Sequence, residues 1–129
     1  MSNSTLTSEL NILVVDDLRL NQLMLTAILE DIGHQVTCAC NGEEAITKID
    51  SEHYDLVYMD RHMPIMDGIE ATRAIRKNGN PIPIIALTGS TDEEEKKVCL
   101  DAGMNDFIAK PVDLEELTRT LENIRANLL

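Results

Sequence analysis

At 129 residues the chain is sized for one domain and is long enough to bury a real core. Eleven basic against 23 acidic residues leave a net charge of −12, which disfavours direct binding to DNA or to an anionic membrane surface. No secretory leader pattern and no apolar stretch long enough to span a bilayer is present, so a cytoplasmic protein is expected.

Residues 1–9 are rich in Ser, Thr and Asn and are expected to form a disordered tail, with the domain occupying 10–129. A first strand is predicted at Asn11–Val15, followed by Asp16 and Asp17. The first helix carries Leu20, Leu23, Met24, Ala27, Ile28 and Ile32 at helical spacing. That stripe is expected to face the core, and Gly33 to end the helix as a C-cap glycine does. His34 leads into a second strand, Gln35–Ala39. Cys38, Cys40 and Cys99 are an odd number of thiols in apolar contexts. They read as small buried hydrophobes of a reducing compartment rather than as disulfides or a zinc site.

The second helix follows Asn41-Gly42, with Ala45, Ile46 and Ile49 inward, and His53 falls in the next loop. The third strand, Leu56–Met59, leads to Asp60. The third helix follows Asp67-Gly68 and is expected to bury Ile69, Thr72 and Ile75. The fourth strand, Pro83–Leu87, leads to Thr88. The fourth helix runs from about Asp92 to Ala102 before Gly103, and the fifth strand, Asp106–Ala109, leads to Lys110. Asp113 is a good N-cap for the fifth helix, which presents Leu114, Leu117, Leu121 and Ile124.

Strand and helix signals thus alternate five times, and most strands lack polar alternation, as strands covered on both faces do. The pattern predicts an α/β fold: a doubly wound, flavodoxin-like (βα)5 parallel sheet of order 2-1-3-4-5. In such a sheet the residues after the strands collect at one carboxyl edge, where open α/β folds bind ligands. Asp16, Asp17, Asp60, Thr88 and Lys110 would meet there. Clustered carboxylates repel unless a cation joins them, and oxygen-only donors suit a hard divalent ion such as Mg²⁺. Metal, carboxylate nucleophile, hydroxyl and fixed lysine are equipment for phosphoryl transfer.

The stretch Met59-Asp-Arg-His-Met-Pro-Ile-Met-Asp-Gly68 resembles the signature of response-regulator receiver domains, as do Val15-Asp-Asp17, Ala86-Leu-Thr88 and Asp106-Phe-Ile-Ala-Lys-Pro111. Asn21-Gln22, Asn41-Gly-Glu-Glu-Ala45 and Gly68-Ile-Glu-Ala-Thr-Arg73 are most similar to receivers of hybrid sensor kinases. The resemblance covers roughly residues 10–125. It implies that Asp60 accepts a phosphoryl group from a phosphohistidine. Asp17, Asp60 and the backbone carbonyl of His62 would bind Mg²⁺ directly, with Asp16 holding a metal-bound water; Mn²⁺ is an alternative ion. Lys110 and Thr88 would contact the phosphoryl group, and Thr88 and Phe107 would act as switch residues. The Lys110–Pro111 peptide is usually cis in the family. Leu18, where a polar residue is common, and Gly89, where alanine is common, depart from the hybrid-kinase pattern.

The resemblance also implies the partners: a histidine kinase or histidine-phosphotransfer domain upstream, and a downstream protein. A homodimer through helix 4, strand 5 and helix 5 is a further expectation. No DNA-binding segment follows the fifth helix, so output to another protein is expected. The chain would promote its own phosphorylation and dephosphorylation, with no separate turnover substrate, and would belong to a relay or a hybrid kinase. A hydrolase of the haloacid-dehalogenase type fails because its second Asp lies two residues after the nucleophile, whereas Leu18 stands there after Asp16. A flavin-binding reading fails because Asp16 and Asp17 would repel the flavin phosphate. A phosphorylation-independent pseudo-receiver is the alternative to the leading reading.

Overall fold

The protein is described here by a computed structural model, which defines residues 9–90 and 92–128. All but Glu9 of the expected N-terminal tail lies outside the described residues. Five strands, β1 (Asn11–Val15), β2 (Gln35–Ala39), β3 (Leu56–Asp60), β4 (Ile84–Thr88) and β5 (Asp106–Ala109), alternate with five helices. These are α1 (Arg19–Ile32), α2 (Gly42–Ser51), α3 (Gly68–Lys77), α4 (Glu93–Ala102) and α5 (Leu114–Leu128). The strands form one parallel sheet in the order β2-β1-β3-β4-β5, as expected. β3 and β4 end one residue later than the sequence suggests, so Asp60 and Thr88 close their strands instead of following them.

Side chains of a strand alternate between faces, and here both faces are dry. Leu13, Val15, Val57, Met59, Ile84 and Ala86 pack with α2, α3 and α4 residues such as Ala45, Ile75 and Cys99. Ile12, Val14, Leu56, Tyr58, Ile85 and Leu87 pack with Leu25 and Leu29 of α1 and Leu117 and Leu121 of α5. The buried Tyr58 hydroxyl is satisfied by Thr120 Oγ1 at 3.0 Å, since an unpaired hydroxyl there would destabilise the fold. Helix ends follow local chemistry. Asn41, Asp67 and Asp92 cap α2, α3 and α4 through their side chains, and Asp67 with Glu70 completes a capping box. Gly33 and Gly103 end α1 and α4 with φ of 113° and 111°.

Three sequence expectations are corrected. On α1, Leu20, Leu23, Met24, Ala27 and Ile32 face solvent; the buried residues are Gln22, Leu25 and Leu29, with Ile28 half-buried. The helix is apolar on two stripes, so periodicity alone did not choose between them. The choice follows Gln22, whose amide donates to the carbonyl oxygens of Asp16 at 2.7 Å and Ala39 at 3.3 Å. On α5, Leu114 is exposed while Leu117, Leu121 and Ile124 are buried. Cys40 is exposed and lies past the end of β2, and Cys38 is half-buried; only Cys99 is fully buried. All three are free thiols.

Candidate functional site

The parallel register builds the site. Val15 pairs with Met59, Asp60 with Leu87, and Thr88 with Ala109. Asp16, Asp60, Thr88 and Lys110 therefore emerge in sequence steps along one carboxyl edge of the sheet. Asp16 is fully buried and Asp60 nearly so, while Asp17 is exposed. Carboxylate oxygens of the three lie within 4.8 Å of one another.

Each is held by backbone or amide groups. Asp16 Oδ1 accepts from the Leu18 backbone N–H at 2.9 Å and from Asn21 Nδ2 at 3.4 Å. Asp16 Oδ2 is buried and has no hydrogen-bond partner among the described residues. Lys110 Nζ donates to Asp60 Oδ1 at 2.8 Å and stands 3.6 Å from Asp16 Oδ2. Burial pushes the Asp60 carboxyl above its ordinary value and the charge of Asp16 adds to this, with the Lys110 hydrogen bond opposing. Burial pulls Lys110 down, yet the hydrogen bond to Asp60 and the charges of Asp60 and Asp16 outweigh it, and the ammonium is held above its ordinary value. One lysine thus faces two buried carboxylates, and negative charge is left over. A buried orphaned oxygen and a hard, all-oxygen donor set fit a divalent cation.

The loop from β3 to α3 curls over the site. The Gly68 N–H donates to the carbonyl of Arg61 at 3.2 Å. A Cβ at Gly68 would collide with the Asp60 carbonyl oxygen, so only glycine lets α3 begin this close to the site. Ile65 in the same loop has φ of 71°, a conformation that costs a β-branched residue on the order of 1–3 kcal/mol. His62 donates its backbone N–H to Asp60 Oδ1 at 3.4 Å. Its ring is exposed and stands outside the carboxylate cluster. The Lys110–Pro111 peptide is cis.

Thr88 and Phe107 lie at the far side of the edge. The Thr88 hydroxyl has two acceptors for its one proton, the Ser90 carbonyl at 3.1 Å and Glu95 Oε2 at 3.0 Å. Phe107 is half-buried, with Lys96 Nζ 5.3 Å from its ring centroid. Gln22 and Arg61 fall within stretches that carry the family resemblance, but sequence reasoning assigned no contact or role to them or to Glu95. Gln22 stood out as a polar residue among leucines; Glu95 was hidden in the run Glu93-Glu94-Glu95, and nothing in the pattern marked a partner for Arg61.

An acidic triad with a tethered lysine, a strand-end threonine and a 2-1-3-4-5 sheet define a phosphoryl-accepting α/β switch module. Residues 12–122 match the response regulator receiver domain. The chain belongs to that family and is a receiver of two-component phosphorelay signalling. It is 40% identical over 115 residues to the sensor histidine kinase GacS of Pseudomonas protegens, covering 85% of this chain and 12% of that kinase. The chain thus spans about an eighth of that relative's length. Among solved structures it is similar to the receiver domain of sensor histidine kinase PA1611 from Pseudomonas aeruginosa PAO1, which has a magnesium ion coordinated in its active-site cleft. There the TM-score is 0.82 and the identity 40%, over 90% of this chain and 97% of that one. It is also similar to a Saccharomyces cerevisiae structure, the complex of the histidine phosphotransfer protein Ypd1 with the receiver domain of the response regulator Ssk1. That match has a TM-score of 0.82 and 33% identity, over 87% of this chain and 86% of that one.

Proposed function

We propose that Asp60 is the residue phosphorylated, that its donor is a phosphohistidine on a kinase or phosphotransfer domain, and that Thr88 and Phe107 transmit the change to α4, β5 and α5. A carboxylate oxygen of Asp60 attacks phosphorus, the P–N bond to the imidazole breaks, and its electron pair returns to the ring nitrogen. The observation that carries the reading is Lys110 Nζ at 2.8 Å from Asp60 Oδ1 and 3.6 Å from Asp16 Oδ2. A fixed ammonium at the nucleophile offsets the repulsion between anionic attacker and anionic phosphoryl group, and in this chemistry positioning and charge stabilisation are nearly all the protein supplies.

Asp17, Asp60 and the backbone carbonyl of His62 would hold Mg²⁺ directly, with Asp16 holding a metal-bound water, and Mn²⁺ suits the same oxygen donors. When bound, the ion neutralises charge on the carboxylates and on the incoming phosphoryl oxygens. The exposed Leu18, Leu20, Leu23 and Met24 border Asp16 through Asn21, and an apolar rim beside a reactive group favours docking of the donor protein there. The α4–β5–α5 surface carries the output, to a downstream protein or to a second copy of this chain. A cytoplasmic location accords with such a relay.

Incubation with Mg²⁺ and acetyl phosphate is expected to add one phosphoryl group to the intact mass. Asp60→Asn is expected to abolish the gain, and EDTA to suppress it in the native chain. A single stoichiometric phosphorylation that persists in Asp60→Asn overturns the assignment.

A further inference from the structure

Thr88 does not wait with a free hydroxyl. Its Oγ1 lies 3.0 Å from Glu95 Oε2, and a neutral donor to a carboxylate makes a stronger bond than one to a neutral acceptor. Glu95 is itself fixed from two further directions. Its backbone N–H donates to Asp92 Oδ1 at 2.8 Å, in the cap of α4. The same Oε2 stands 3.1 Å from Arg61 Nε, and both side chains are only 16% exposed. The Nε–H is not aimed at that oxygen, so the contact is an ion pair and leaves the carboxylate lone pair to Thr88. Arg61 is in turn anchored by its backbone N–H, which donates to the Leu87 carbonyl at 2.9 Å, and by Asp67 Oδ2, 3.6 Å from its guanidinium. The next residue of α4, Lys96, covers the ring of Phe107.

We propose that Glu95, held by Arg61, is a positioning residue that withholds Thr88 from the phosphoryl group and so sets the threshold of the switch. The inference rests on the phosphorylation of Asp60 proposed above. A hydroxyl has one proton, so Thr88 serves Glu95, the Ser90 carbonyl or a phosphoryl oxygen one at a time, and of the two resting acceptors the charged Glu95 is the stronger. Phosphorylation must draw that proton off Glu95. The first turn of α4 then loses its tie to β4, and Lys96 on the same turn loses its place over Phe107. Arg61 directly follows Asp60 in the chain, so the acceptor and the latch share one strand end.

The test is a double-mutant cycle read by beryllofluoride affinity in the presence of Mg²⁺, measured by calorimetry on the full chain. Removing a competing hydrogen bond acceptor in Glu95→Ala is expected to tighten binding by about three- to tenfold. Glu95→Gln keeps the shape, loses the charge, and is expected to fall between Glu95→Ala and the native chain. In a Thr88→Ala background, Glu95→Ala is expected to leave affinity unchanged, because the coupling runs through the hydroxyl. A general loosening of α4 would act equally in both backgrounds, and that result overturns the latch. So does unchanged or weaker binding in Glu95→Ala and Glu95→Gln while the native chain binds. If the native chain takes up no beryllofluoride at all, the phosphorylation reading falls, and the latch with it.

Discussion

Asp16 and Asp17 are neighbours in sequence and opposites in environment. Asp16 is buried beside the first turn of α1, with one oxygen bonded to Leu18 and Asn21 and the other without a hydrogen bond among the described residues, its ionic neighbour being Lys110 at 3.6 Å; Asp17 stands in solvent. The acidic pair was legible in the sequence, but their difference was not, because it depends on which way the backbone turns after Val15. That difference yields a test of the metal assignment. A ligand bound only by the folded state stabilises it, by about 1.4 kcal/mol at ten times its Kd. Mg²⁺ is therefore expected to raise the unfolding free energy of the native chain. Asp17→Ala, at an exposed position, is expected to leave metal-free stability nearly unchanged and to abolish the increment. Chemical denaturation with and without EDTA measures both, and circular dichroism is the probe because the chain has no Trp.

The decisive element is the segment from β3 to α3. Asp60 ends a fully buried strand, and the chain must reach the capping box of α3 within seven residues, from Arg61 to Asp67. Gly68 makes the reversal feasible because its missing Cβ is what lets the helix start against the Asp60 carbonyl. Overpacking against backbone costs typically ~1–3 kcal/mol. Gly68→Ala is expected to destabilise the chain by that order and also to weaken the proposed phosphorylation of Asp60, since the added methyl presses on the Asp60 peptide itself. Gly79→Ala provides a control, having φ of 84° but open space around it. It is expected to lose stability without losing phosphorylation. Equal phosphorylation in Gly68→Ala and the native chain would show that the reversal does not position Asp60. On α1 the same scale shows where periodicity stops. The helix was legible, and its inward stripe was not, because Gln22 satisfies two loop carbonyls that only the assembled sheet brings to it.

For the whole molecule, the two ends of the sheet have different electrostatics. At the carboxyl edge charges are concentrated; at the opposite edge one imidazole is buried among backbone. His34 is 4% exposed and accepts the Leu10 backbone N–H through Nδ1 at 3.1 Å, with an Arg125 guanidinium nitrogen 3.4 Å from Nε2. Burial lowers its pKa from the ordinary value and Arg125 lowers it further, with Glu9 opposing. The unfolded chain therefore takes up this proton before the folded one does. Stability is full above the ordinary histidine range and is lost as pH falls from there toward the depressed value. The slope is at most about 1.4 kcal/mol per pH unit for one proton. Urea denaturation between pH 7.5 and 5 is expected to show this loss, and His34→Gln is expected to flatten it. An unchanged profile in His34→Gln would assign the loss to other groups.

The order of strands and helices, the two-faced burial of the sheet and the convergence of Asp16, Asp17, Asp60, Thr88 and Lys110 were determined by the sequence by itself. Each is written in local signals: apolar runs, helix caps, and polar residues placed where those runs end. Only the tertiary structure decided which stripe of α1 meets the core, that Leu114 and Cys40 face solvent, and that Arg61 and Glu95 close on Thr88. Those outcomes pair residues far apart in the chain, as Glu95 with Arg61 and Gln22 with Ala39. Periodicity records that a side chain lies on a face. It carries no information about which donor or acceptor waits across the packed interface, and that partner fixes the energy of a buried polar group.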